Sequence, residues 1–334
     1  LCGDSGERLP PARYALVRRE LTARFGGATA FLRSPAIKAE LARLLVPRMT
    51  VIAAERSAYP VLPLPVGLRM SQFVHHLARF VTVNSAHQAL VMKQQFPGLA
   101  DRVVTIRNGV DLAPRPRAAP ASPGRELSLL AVSSLMPYKN SVRLAKALAL
   151  LRNEHGLRVC VSWLGETFEG KGRGYGAYGE TRAHIRALAL EDQWHWLGVT
   201  QDVPSVLALH DALVHPSLYE GTSNAVCEAM ASSLPVIAGR IADHAEMLEQ
   251  TGAGITFDPL DVRSIADAIA RFASLDASER EKMGRRGRGV IEARYSFESM
   301  VTAYERLAIA AATRAAPPHT AVTDPGERAS PCAD

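Results

Sequence analysis

A chain of 334 residues is too long for one minimal core, so two domains are the natural division. Its composition, 47% hydrophobic and 22% charged, is that of an ordinary folding protein. The formal charge of +6 is spread over arginine-rich helices and a linker, with no Lys/Arg block interleaved with aromatics, which argues against a nucleic-acid partner. The excess suits anionic phosphates, peripheral contact with an anionic membrane, or no more than an arginine-rich proteome. Cys2, Cys160, Cys227 and Cys332 lie far apart, with no CxxC and no His at ligand spacing. Zinc is therefore disfavoured and a reducing, cytoplasmic setting fits, with the inner membrane face as an option. No signal-peptide run opens the chain and no window reaches the length of a membrane span. The chain starts with Leu, as a fragment would.

In the first third, strand-like runs fall at 28–32 (ATAFL), 49–54 (MTVIAA), 79–84 (RFVTVN) and 102–106 (RVVTI). Helix-like runs SPAIKAELARLL (34–45) and SAHQALVMKQQF (85–96) separate them, each with a serine at the capping position. Residues 57–67 form a Pro-rich loop. Around 107–126 an Asn-Gly turn and four prolines mark a boundary. We take 1–112 as an N-terminal domain, 113–126 as linker, 127–311 as a second domain and 312–334 as a disordered tail.

From 127 the alternation restarts. Strands are expected at 126–135, 158–165, 194–198, 211–217 and 235–239, with a further segment at 254–259. Helices are expected at 140–155, 180–191, 202–210, 222–232 and 262–275, then around 278–292 and 297–311. In the helix at 262–275, Val262, Ile265, Ala266, Ile269 and Phe272 share one face. Strict β/α alternation, twice over, predicts two doubly wound parallel sheets with a ligand cleft at their carboxyl ends.

The stretch HPSLYEGTSNAVCEAMASS (215–233) leaves a strand and enters a helix. Thr222 or Ser223 can cap that helix, Gly221 allows close approach, and the N–H groups at Gly221 to Asn224 suit an anion or sugar hydroxyls. Glu228, a turn further in, can accept two hydrogen bonds from a vicinal diol such as a ribose, and Glu220 can reach the other end of the same ligand. Taken alone, Glu228 is equally a satisfied helix residue and Glu220 a solvated loop acid. A second feature adds to them: LAVSSLMPYKNS leaves the first strand of the same domain, placing Lys139 beside a helix start that Asn140 would cap. A lysine there neutralises a phosphate. Together the two loops point to a nucleoside-diphosphate ligand.

At this point the chain resembles family 4 of the retaining glycosyltransferases, group 1, with the GT-B fold. The resemblance rests on EGTSNAVCE with AMASSLPVIAG, LAVSSLMPYKNSVRLAKAL, WLGVTQDVPSVLALHDALVHPS, RNGVD and FDPLDVRSIADAIARF, in order between about residues 79 and 307. It implies an α/β GT-B molecule, two Rossmann-like domains facing a cleft. It also implies sugar transfer from a nucleotide-diphosphate sugar to a glycan or lipid-linked acceptor, with retention, no cofactor and no obligatory metal. On matching positions Glu220 and Lys139 are catalytic, contacting the donor sugar and the diphosphate. Gly221, Thr222, Ser223 and Asn224 hold the sugar and diphosphate, and Glu228 the ribose. RNGVD brings in Asn108 and Gly109 as further candidates.

Three departures are visible. The family's phosphate-binding Arg is matched by Ser134, which joins the donor set without a charge. No glycine-rich loop precedes residue 28, and only four strands precede the linker, so the N-terminal domain reads as incomplete and the chain as a donor binder that transfers poorly. The family's donor-contacting His has no secure match; VIAAERS makes Arg56 a candidate, while His75 and His76 read as helix-surface residues. The run GKGRGYGAYG (170–179) reads as a loop over the donor rather than a dinucleotide site. Two other readings stay open: a non-catalytic nucleotide-sugar-binding remnant, and an epimerase or phosphorylase of the same fold.

Overall fold

Both parallel sheets expected from the alternation are present. The computed structural model describes residues 27–31, 33–45, 49–56, 72–112, 126–168 and 177–318. The Pro-rich loop, most of the glycine run, residues 113–125 and the tail from 319 lie outside them. The chain divides into two units, Leu1–Ile106 with Val301–Asp334, and Arg107–Met300. The second unit thus begins ahead of the expected linker, and residues 301–318 group with the first.

In the first unit, β1 (Gly27–Phe31), β2 (Thr50–Glu55), β3 (Phe80–Val83) and β4 (Val103–Thr105) form one parallel sheet in chain order. Helix α1 (Arg33–Leu45) links β1 to β2, and α2 (Ala86–Gln95) follows β3. Ser85 caps α2 as expected, its hydroxyl accepting the Gln88 N–H at 3.1 Å, whereas α1 starts one residue ahead of Ser34. Residues 51–55 of β2 are buried one after another, as a central parallel strand covered on both faces must be.

His75 is not on a helix surface. It sits on a tight turn (Val74–Leu77) and is fully buried between Glu40 of α1, 2.7 Å from Nδ1, and Glu55 at the end of β2, 3.6 Å from Nε2. Burial alone would lower its pKa, but the two carboxylates reverse the effect and raise it to about 9. The turn is too short to show an amphipathic period, so its inward face was not legible in the sequence.

In the second unit six parallel strands are ordered β10-β9-β8-β5-β6-β7. They are β5 (Leu127–Val132), β6 (Val159–Leu164), β7 (Trp194–Gly198), β8 (Ala212–His215), β9 (Val236–Gly239) and β10 (Gly254–Phe257). Side chains of β5 alternate: Leu127, Leu129 and Ala131 join one core, Leu130 the other. The first core lies under α3 (Ser141–His155), α4 (Tyr178–Ala187) and α7 (Val262–Ser274), through Leu144, Leu148, Ile265, Ile269 and Phe272. Beneath the opposite face, α5 (Val203–Ala208), α6 (Asn224–Ala231) and α8 (Ala277–Arg294) contribute Leu207, Val226, Met230 and Ile291. A single wide π turn, Ala245–Glu249, adds Met247 and Leu248. Helix α9 (Phe297–Thr313) then carries the chain into the first unit, so residues 312–313 of the expected tail are helical.

This strand order matters for the site. The chain runs outward from β5 through β6 to β7, then returns to the other side of β5 and runs outward again through β8, β9 and β10. The order reverses between β5 and β8, and loops leaving a reversal diverge and open a crevice at the carboxyl edge.

Candidate functional site

The two loops that leave β5 and β8 carry the expected residues, and the strand order makes them neighbours. Lys139 Nζ donates to Glu220 Oε1 at 2.5 Å, with both side chains mostly buried. His215, the last residue of β8, places Nε2 3.2 Å from the same oxygen. Burial of Glu220 would raise its pKa. The hydrogen bond and charge of His215, with the charge and hydrogen bond of Lys139, outweigh that and hold the carboxyl well below the usual range. Glu220 is therefore an ionised, doubly bonded carboxylate.

Asn140 does not cap α3 through its side chain. It adopts left-handed backbone (φ 63°) and its buried amide donates to the carbonyls of Pro216, at 2.9 Å, and Pro259, at 2.7 Å. One side chain thereby ties the loops after β5, β8 and β10 together. The Leu218 N–H donates to the Tyr138 carbonyl at 2.8 Å, and the Tyr138 and Tyr219 rings stack at 4.6 Å. These bonds hold Lys139 and Glu220 in register.

Ser223, not Thr222, caps α6: its hydroxyl faces the Val226 N–H at 3.5 Å. Gly221 and Ser223 are buried, Thr222 is half-buried and Asn224 is exposed. Glu228 lies half-buried one turn into α6, on the same helix that starts beside Glu220. Asn108 donates to Asn224 Oδ1 at 2.8 Å, which brings this candidate to the helix start. Gly109 has a packing reason of its own, since a Cβ there would lie 2.6 Å from Phe297 Cα. Ser134 sits half-buried in the loop after β5. Arg56, in the first unit, donates to the Tyr304 hydroxyl at 3.1 Å and lies over the Phe31 ring.

Sequence reasoning passed over His215, His244 and Gly165. His215 and His244 are buried with their rings edge to face at 5.8 Å. Gly165 has φ 146°, and a Cβ there would lie 2.1 Å from the Ser133 carbonyl oxygen, so backbone meets backbone beneath the Lys139 loop. For two of the three the legible signal was a strand-end position: His215 closes β8, and Gly165 follows β6.

Comparison with known proteins gives a family match and a fold. Residues 126–274 match the family described as Glycosyl transferases group 1. That group 1 segment runs from the start of β5 to the end of α7 and contains Lys139, His215, Glu220 and Glu228. The chain is similar to the solved structure of Anabaena HepE in complex with UDP, with a TM-score of 0.71 and 20% identity over 87% of this chain and 81% of that one. Sucrose-phosphate synthase from Thermosynechococcus elongatus superposes with a TM-score of 0.70 at 16% identity, covering 92% of this chain and 81% of that one. The fold is GT-B. In sequence, the chain is 28% identical over 220 residues to glycogen synthase of Mycobacterium tuberculosis, 64% of this chain and 50% of that protein. The chain spans about half or less of the length of the curated relatives it matches. Among the described residues, no helix is long and apolar enough to cross a membrane.

Proposed function

We propose that the chain is a retaining glycosyltransferase that moves a sugar from a nucleotide-diphosphate sugar to a glycan or lipid-linked acceptor. The observation that carries this reading is the meeting of Lys139, Glu220 and the start of α6 at the point where strand order reverses. A fixed cation and a helix N-terminus suit a diphosphate, and a fixed carboxylate suits sugar hydroxyls. Solved relatives in the same fold include one with UDP bound, which supports the same ligand class here.

In this reading Lys139 and the N–H groups at the start of α6 bind the diphosphate, Glu228 the ribose and Glu220 the sugar. The bond from the anomeric carbon to the phosphate oxygen breaks, and charge builds on the leaving diphosphate. Groups already in place stabilise that charge most in the transition state. The acceptor hydroxyl attacks the same face and its proton passes to the leaving phosphate, which yields retention. The positive partners are side chain and backbone, so the reaction needs no metal and no cofactor. We place the enzyme in the cytoplasm, with peripheral membrane contact left to the acceptor's chemistry.

Thermal shift with UDP, GDP and ADP sugars, followed by donor hydrolysis with and without EDTA, tests this. A ligand at a hundredfold its Kd stabilises the folded chain by about 2.7 kcal/mol. One of the three should raise the melting temperature, and its hydrolysis should survive EDTA. No shift with any of them would refute donor binding, and activity lost to EDTA and restored by Mn²⁺ would refute the metal-free mechanism.

A further inference from the structure

We propose that His215 is a positioning residue, whose ring N–H holds the Glu220 carboxylate in the orientation that meets the donor sugar. The inference rests on the donor reading above and adds a residue to it. His215 closes β8 and only 3% of its side chain is exposed, so the strand and its neighbours fix the ring. Its Nε2 and the Lys139 ammonium both reach Glu220 Oε1, at 3.2 and 2.5 Å. A carboxylate oxygen has two acceptor sites, so two donors fill Oε1 and set the plane of the group. Oε2 takes no hydrogen bond from a described residue and is the oxygen left for a ligand hydroxyl.

The two donors differ in what happens to them during reaction. Lys139 is the cation assigned to the diphosphate, and its hold on Glu220 weakens as charge builds on the leaving phosphate. His215 has no such second task, so its bond is the one that persists while the sugar carries positive charge. The residue behind it supports this division. His244 packs edge to face on His215 and donates from Nδ1 to the Gly239 carbonyl at 2.8 Å. Burial, with His215 nearby, keeps that ring neutral by pushing its pKa down to about 4. A neutral, anchored ring fills the space behind His215 without competing for Glu220.

The test compares the full chain with His215→Phe and His215→Gln, using whichever of UDP, GDP or ADP the wild type answers to, and its glucose ester. A glutamine amide extends about as far as Nε2 and still donates. Losing one hydrogen bond to a charged group should lower hydrolysis kcat about 10- to 100-fold in the Phe variant. Affinity for the free nucleoside diphosphate should stay within about twofold, because that ligand carries no sugar for Glu220 to meet. The Gln variant should recover most of the lost rate. If the Phe variant does not fold, His215→Met replaces it as a side chain of similar reach with no donor. Wild-type hydrolysis in the Phe variant, equal loss in Phe and Gln, or equal weakening of diphosphate and sugar ester would each overturn the proposal. A wild type that answers to none of the three nucleotides removes the donor reading and this inference together. One that binds while His215→Phe behaves identically removes the inference alone.

Discussion

Lys139 and Glu220 neutralise each other as an ion pair, and this decides how their variants should differ. Removing Lys139 leaves the carboxylate held by His215 alone and takes away the cation for the leaving diphosphate. Lys139→Ala should therefore lower kcat by about a hundredfold to a thousandfold while KM for the donor changes less. Steady-state hydrolysis or transfer rates check this, and an unchanged kcat would remove Lys139 from the mechanism. Glu220→Gln should also be slow but should bind free diphosphate at least as well as wild type. It deletes a negative charge beside the phosphates and frees the ammonium to meet them.

Among the elements, the ends of α6 and β6 make opposite demands on one residue each. After α6, Ser233 takes left-handed backbone (φ 55°), with the Leu234 N–H on the Ala229 carbonyl and the Ser233 N–H on that of Met230, both at 2.9 Å. A glycine has no Cβ to strain there. Ser233→Gly should stabilise the chain by about 0.5–1 kcal/mol, once the extra freedom of glycine in the unfolded chain is set against about 1–2 kcal/mol of relieved strain. Urea denaturation measures it, and a midpoint that falls would contradict the strain argument. Gly165 is the reverse case. Alanine there would drive a carbon into the Ser133 carbonyl, so Gly165→Ala should destabilise by about 3 kcal/mol or more and abolish the thermal shift with donor, because the displaced loop carries Lys139.

For the whole molecule, the buried histidines set a stability optimum in pH. The pKa of His75 is raised to about 9, so its contribution is complete below its unfolded value near 6.5 and is lost as pH rises through 9. The full loss is on the order of 3 kcal/mol, and it falls on the first unit, where Glu40 and Glu55 lose the positive charge of the imidazole that lies between them. His244 has the opposite sign. Its pKa is lowered to about 4, so the unfolded chain binds more protons between 6.5 and 4 and stability falls as pH drops through that window. The Glu220 carboxylate adds to the acid side, since its contribution is lost as pH falls below about 4.5. Melting temperature should peak near neutrality and decline by pH 9, with His75→Gln flattening the alkaline arm. A curve that is level from pH 7 to 9 in the wild type would mean that the cluster does not hold a charged imidazole.

Much of this was determined by local sequence, because local physics reads local patterns. The period of apolar residues placed every strand and helix of the second unit to within a few residues, and Ile265, Ala266, Ile269 and Phe272 are buried on the face their spacing predicted. The sequence also placed Lys139, Glu220 and Glu228 at strand ends and a helix start, from where the apolar runs stop and from the residues expected to cap, although Asn140 does not cap. Strand order is a different kind of information. Lys139 and Glu220 are 81 residues apart, and only the pairing of β5 with β8 makes them an ion pair. The same holds for His215 on the shared carboxylate oxygen, for Asn140 spending its amide on two distant loops instead of a cap, and for His75 finding two acids from α1 and β2. Each depends on which elements become neighbours, and that is settled by burying two apolar faces of one sheet at once. No window of sequence shorter than the domain contains that condition.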